Sequence, residues 1–136
     1  MKAIEARKLF QYDPETGILL NRKTRGKRAL SGSIAGGVTK DGYVRLMHNG
    51  KTYMAHRLAW VIQTGSRPNS DIDHINGVRC DNRFSNLRVA SKSQNSHNSR
   101  RTKNNSSNVK GVTWDSAKPQ WKARIMSFGK RFHVGY

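Results

Sequence analysis

Hydrophobic positions in this chain come in short bursts, and the spacing within each burst decides what it predicts. Ile4, Leu9 and Phe10 suit a short helix over Ile4 to Phe10. Asp13-Pro14-Glu15-Thr16-Gly17 is a turn by composition, and Gly17-Ile18-Leu19-Leu20 after it reads as a strand. Ser31 to Gly37 is a Gly/Ser-rich loop or edge strand. Beyond it, Gly42 to Met47 alternates, His48-Asn49-Gly50-Lys51 turns, and Thr52 to Ala55 returns as the second arm of a hairpin. The period then changes to that of a helix over His56 to Thr64, with Leu58, Val61 and Ile62 on one stripe, Gly65 as terminator and Pro68 shortly after. His56, at the start of this apolar helix, reads as a hydrogen-bonded structural residue.

Further on, Ile72 to Ile75 forms a strand, Asn76-Gly77 turns, a polar loop runs through Asn82, and Leu87-Arg88-Val89 pairs back. Ser91 with Gln94 three residues later is a capping box, so a helix is expected to begin at Ser91 with Asn95 in its first turn. Arg100 to Asn108 holds too little apolar surface to fold and reads as a linker. In the last stretch a period of two puts Val112, Trp114, Trp121, Ala123, Ile125, Phe132, Val134 and Tyr136 on apolar faces. Lys122, Arg124, Arg131 and His133 fall on the opposite ones. The expected architecture is α+β: a β-rich region over 1–51, a strand-loop-strand-helix core over 52–99, a basic linker at 100–108 and a three-stranded antiparallel sheet over 109–136.

Charge decides the class of partner. The 136 residues carry 26 Lys and Arg against 8 Asp and Glu, a net +18, spread over every segment. This is the footprint of a polyanion-binding surface, and double-stranded DNA is the expected partner. Arg22 to Arg28 packs five cations into seven residues and reads as a flexible phosphate-contacting loop. No apolar run approaches the roughly 20 residues a spanning helix needs, so no membrane partner is expected. Met1 to Phe10 lacks the apolar core of a signal peptide, so the protein is expected to stay in the cytoplasm of the cell that makes it. Cys80 stands alone, so a cysteine-built zinc site is excluded and any metal must be held by oxygen or imidazole. Gly50-Lys51-Thr52 resembles the end of a nucleotide-phosphate loop, but Arg45 stands where that loop needs glycine.

The chemistry gathers between Ile72 and Asn98. Cutting a phosphodiester needs a base for the attacking water and positive charge on the phosphorus and the departing oxygen. His74 can be that base, since imidazole titrates near neutrality, and Asp73 beside it can hold a divalent cation. Asn86 and Asn95 follow His74 by 12 and 21 positions, where the strand-loop-strand-helix unit needs polar side chains.

This combination resembles the HNH endonuclease family, and within it the phage and intron-encoded homing endonucleases. The resemblance rests on Asp73-His74-Ile75-Asn76-Gly77, Asp81-Asn82-Arg83 and Asn86-Leu87-Arg88. It implies a ββα-metal core in which Asp73 and Asn95 bind one divalent ion, His74 is the general base, and Asn86 holds the loop and the imidazole in orientation. An amide at position 95, where some relatives have histidine, favours Mg²⁺ or Mn²⁺. His97, two residues on, should face elsewhere on the helix. Lys110-Gly111-Val112, Gln120 to Ile125 and Gly129-Lys130-Arg131 are similar to the sheet of the AP2-type DNA-binding domain. A helix normally follows that sheet, so the chain is expected either to be a truncated form or to cover the sheet's apolar face in another way.

The expected activity is metal-dependent DNA cleavage, by nicking or by double-strand cutting, in a monomer. Arg25, Lys27, Arg28, Arg83, Arg88, Lys92, Lys122, Arg124 and Arg131 are the expected DNA contacts. The alternative is a sequence-specific DNA-binding protein that no longer cuts. An RNA-binding reading would need stacking aromatics on an exposed face, whereas the pattern places most aromatics on core faces.

Overall fold

The computed structural model describes residues 1–91, 94, 95, 98, 104–127 and 130–136. Contacts divide the chain into two units, Met1–Ala90 and Ser91–Tyr136. Among the described residues no helix is long and apolar enough to cross a membrane.

The first unit begins with α1 (Ala3–Leu9), which passes directly into β1 (Phe10–Tyr12). The expected helix is there, but its contacts differ: Ile4 is exposed, while Ala6 and Phe10 are buried. Phe10 has left the helix for a strand that the sequence pattern did not suggest. β1 pairs antiparallel with β2 (Leu19–Asn21), placing Tyr12 opposite Leu19. The strand expected from Gly17 therefore starts two residues later, because Gly17 closes the turn. Its N–H donates to the Asp13 carbonyl, and the Asp13 carboxylate accepts from the Glu15 N–H and the Thr16 hydroxyl.

β3 (Gly37–Val38), β4 (Val44–His48) and β5 (Lys51–Met54) form an antiparallel sheet in chain order. Asn49 and Gly50 both take positive φ, 48° and 70°, the pairing that a tight two-residue hairpin turn requires. α2 (Ala55–Thr64) follows without a linker and ends at Gly65, whose N–H reaches the Val61 carbonyl. Leu58 and Val61 are buried and Ile62 is partly buried, as the stripe predicts. Arg7 donates two hydrogen bonds to the Ile62 carbonyl, at 2.9 and 2.6 Å, placing a cation at the negative end of α2.

One apolar cluster joins Ala6, Phe10, Leu19, Ala35, Leu46, Ala55 and Leu58. A smaller one, Ala59, Ile72 and Leu87, packs an adjoining face of α2 onto the ribbon of β6 (Asp71–His74) and β7 (Leu87–Ala90). α2 is thus the common wall between the N-terminal sheets and this ribbon. The Trp60 ring meets Phe84, at the start of the 3-10 turn Phe84–Asn86, with centroids 5.5 Å apart.

In the second unit, Ser91 and Gln94 make the reciprocal capping pair, side chain to backbone in both directions, and Gln94, Asn95 and Asn98 are helical. β8 (Val112–Asp115), β9 (Gln120–Ser127) and β10 (Lys130–Gly135) form an antiparallel sheet with β9 in the centre. Trp114 pairs with Trp121 and Ile125 with Phe132, so the apolar side chains share one face as expected. They are not core residues, however: Trp114 is 49% exposed, Trp121 40% and Phe132 48%.

Candidate functional site

The β6–β7 ribbon sets the register of the site. Asp73 stands opposite Arg88, and His74, the last residue of β6, stands opposite Leu87. Alternation along the strand sends Asp73 and His74 to opposite sides, and both are buried, at 7% and 4% exposure. On one side, Arg88 donates two hydrogen bonds to a single Asp73 oxygen, at 3.1 and 2.8 Å. Arg88, expected at DNA, is in this structure the counter-ion of the buried carboxylate.

On the other side, the His74 ring faces α2. Its centroid lies 5.0 Å from that of His56, nearly edge to face, and 6.0 Å from that of Tyr43. Burial, with help from His74 and Arg57, pushes the His56 pKa down to about 4, so this ring is neutral near pH 7. The expectation that His56 is a hydrogen-bonded structural residue needs correction. Among the described residues its Nδ1 is buried with no hydrogen-bond partner, and its rings of contact are His74 and Tyr43.

The loop between the strands is held by amides. The Asn86 side-chain oxygen accepts from the Asn76 N–H at 3.0 Å, and its NH₂ donates to the Asp81 carbonyl at 2.8 Å. Asn86 therefore spans both ends of the loop. The side chain that meets the imidazole is Asn82, whose Oδ1 lies 3.2 Å from His74 Nε2. An amide oxygen only accepts, so the contact is the one an Nε2–H ring makes. Asn82 is 3% exposed, the most buried polar group of the loop. It lies within the word Asp81-Asn82-Arg83, but nothing in the local pattern distinguishes it from the other polar residues there.

Asp81 is fixed by Arg83, which donates at 2.8 and 2.6 Å, and by Asn76. These bonds hold its carboxyl at about 2, below the usual carboxylate value. Arg79 stacks over the Tyr43 ring at 4.9 Å and donates to the Asp41 carbonyl, tying the loop to the turn before β4.

The remaining expected residues divide by what their charges meet. Arg25 is not part of a flexible loop. Its guanidinium donates to the Met47 carbonyl and the Asn21 amide oxygen, contacts His48 and lies 4.8 Å above the Phe10 ring. The reason is the buried Phe10 and Asn21 beside it, which offer a ring face and an acceptor that water does not reach. Lys27 and Arg28 are exposed, as are Arg124 and Arg131. Lys122 shares the face of Arg124 but is ion-paired with Asp115. Asn95 lies in the second unit, with its N–H on the Ser91 carbonyl. Lys92 and His97 lie outside the described residues. Among the described residues no three of His, Cys, Asp and Glu form a metal-binding group.

A buried Asp-His pair thus sits on a two-stranded ribbon, with an asparagine-laced loop between the strands. The profile of the HNH endonuclease family matches residues 53–97, which hold α2, β6 and β7. Protein 3.8 of Escherichia phage T7 is 32% identical over 77 residues, 56% of this chain, and the chain spans 64% of that protein's length. The chain is also similar to the HNH homing endonuclease I-HmuI, known from a structure of DNA binding and cleavage. Identity there is 27%, the match covers 65% of this chain and 50% of that one, and the TM-score is 0.46.

Proposed function

We propose that the chain is a metal-dependent DNA endonuclease of the homing type, with the end of the β6–β7 ribbon as the place where the scissile phosphate sits. The observation that carries this reading is the buried His74, with Nε2 held at 3.2 Å from Asn82 Oδ1 and Asp73 next to it in the chain. In this reading His74 takes the proton of the attacking water. Asp73 and Asn95 would hold one Mg²⁺ or Mn²⁺ ion, which when bound supplies positive charge to the phosphate and the departing oxygen. Asn86 keeps the loop in shape, so that the imidazole is presented in one orientation.

Grip on DNA comes from exposed cations. Lys27 and Arg28 in the first unit, and Arg124 and Arg131 on one face of the β8–β10 sheet, are the strongest candidates, since they are exposed and, among the described residues, no ion pair neutralises them as Asp115 does Lys122. That face is the AP2-like surface of the sequence reading, and a sheet of this width can enter a major groove. The test is relaxation of supercoiled plasmid with Mg²⁺ or Mn²⁺ against EDTA. Cutting that needs the ion and is lost in His74→Ala supports the reading. Tight DNA binding without any cutting by the unaltered chain would leave a DNA-binding protein in its place.

A further inference from the structure

The β8–β10 sheet carries an open aromatic face. Its register sets Trp114 beside Trp121, Val112 beside Ala123 and Ile125 beside Phe132, and alternation sends all six to the same side. Trp114, Trp121, Ile125 and Phe132 are each 40% to 50% exposed. The two indoles meet nearly edge to face with centroids 5.1 Å apart, an arrangement in which each ring holds the other's orientation. The tryptophan pair and Phe132 lie four positions apart along β9, roughly 13 Å, which leaves room for more than one flat ring. An exposed cation stands at each end of this run: Lys118 in the turn between β8 and β9, and Lys130 at the start of β10, two residues before Phe132 and on the same side. The sequence pattern puts these rings in a core, where no base reaches them; their exposure reverses that expectation.

Charge selects what this face meets. Residues 91–136 carry ten Lys and Arg against a single acid, Asp115, and that acid is already paired with Lys122. A second copy would bring the same excess of positive charge to the face, whereas an unpaired nucleic-acid strand brings flat apolar bases for the rings and phosphates for the lysines at either end. We propose that the face formed by Trp114, Trp121 and Phe132 stacks the unpaired bases of single-stranded DNA, while Arg124 and Arg131 on the opposite face remain for the duplex. Duplex DNA keeps its bases stacked on one another and offers no ring face here, so the sheet distinguishes an opened strand from a closed helix. Such stacking tolerates any sequence, because every base has a flat face. The choice of DNA over RNA rests on the DNA reading given above, whereas the stacking depends neither on that nor on cleavage.

The experiment uses the full chain with Trp60→Phe, which leaves Trp114 and Trp121 as its tryptophans, in EDTA and at one salt concentration. Oligothymidylate, an abasic strand with the same number of phosphates, oligouridylate and a DNA duplex are each titrated, with indole emission and strand anisotropy as the readouts. Oligothymidylate should quench the emission and bind at least about tenfold more tightly than the abasic strand. Trp121→Ala and Phe132→Ala should each weaken oligothymidylate binding by about 5–150-fold and leave duplex binding little changed. Phe132→Leu, which keeps apolar surface without a ring, should lose as much as Phe132→Ala, and Phe132→Tyr should recover most of it; this pair carries the comparison if Trp121→Ala does not fold. Equal affinity for the thymidylate and abasic strands, an indole emission that no strand changes, or a Phe132→Leu chain that binds as tightly as its parent overturns the proposal. Tighter binding of oligouridylate than of oligothymidylate overturns the choice of DNA, and self-association in sedimentation that oligothymidylate does not reverse assigns the face to a second copy instead. If the unaltered chain cuts no plasmid but the strands bind as described, the stacking face stands and the nuclease reading alone fails.

Discussion

The neutral imidazole of His56 makes a measurable demand on stability. An exposed histidine takes its proton near pH 6.5, but His56 is buried in the first turn of α2 with its pKa near 4. Burial leaves a charge on this ring poorly solvated, and His74 and Arg57 nearby disfavour it further. Between these two pH values the unfolded chain binds a proton that the folded chain refuses. Stability is therefore fully present above 6.5 and is lost progressively as pH falls toward 4. The interval corresponds to roughly 3 kcal/mol, a large part of the stability of a chain this size. Urea unfolding of a Trp114→Phe/Trp121→Phe background, followed by the fluorescence of the remaining Trp60 at pH values from neutral to mildly acidic, measures the loss directly. In His56→Phe, which keeps the ring against Tyr43 but cannot protonate, the neutral-pH stability should change little and most of the acid-induced loss should disappear. Identical pH dependence in the two proteins would refute the reasoning and show that another group drives acid unfolding.

Other outcomes follow from the same geometry. His74→Ala should lower cleavage by ~10²–10⁴ while a gel-shift assay finds DNA affinity nearly unchanged, because the imidazole moves a proton and does not grip phosphate. Asp73→Ala and Asn95→Ala should each raise the Mg²⁺ or Mn²⁺ concentration needed for half-maximal cutting, and full activity in EDTA would remove both from that role. Arg25→Ala should cost about 1–3 kcal/mol in chemical denaturation, whereas Lys27→Ala and Arg28→Ala should leave stability alone and weaken DNA binding, since only Arg25 is committed to the fold. Deleting 109–136 should broaden the distribution of cleavage sites on a long DNA and flatten the salt dependence by about 0.9 for each phosphate contact removed; an unchanged distribution would place site choice in the first unit.

What could be read from the sequence is what is decided within a few residues. The hairpin turn at Asn49-Gly50, the stripe and terminator of α2, the capping pair Ser91–Gln94 and the alternating strands of the last sheet all depend on local backbone preference and side-chain period. Each appears where the pattern puts it. The Asp73-His74 word and the strand pairing around it were legible for the same reason. Tertiary packing decided which groups meet. Tyr12 reaches Asn82 across 70 positions, His56 on a helix comes to rest against His74 on a ribbon, and Asn82 takes the hydrogen bond to the imidazole. Arg25 is drawn from the solvent onto Phe10 because Phe10 is buried beside it, a fact that no run of cations reveals. The same limit explains the exposed Trp114 and Trp121: alternation sorts side chains onto faces, but whether a face is covered depends on what else packs there, and period carries no information about that.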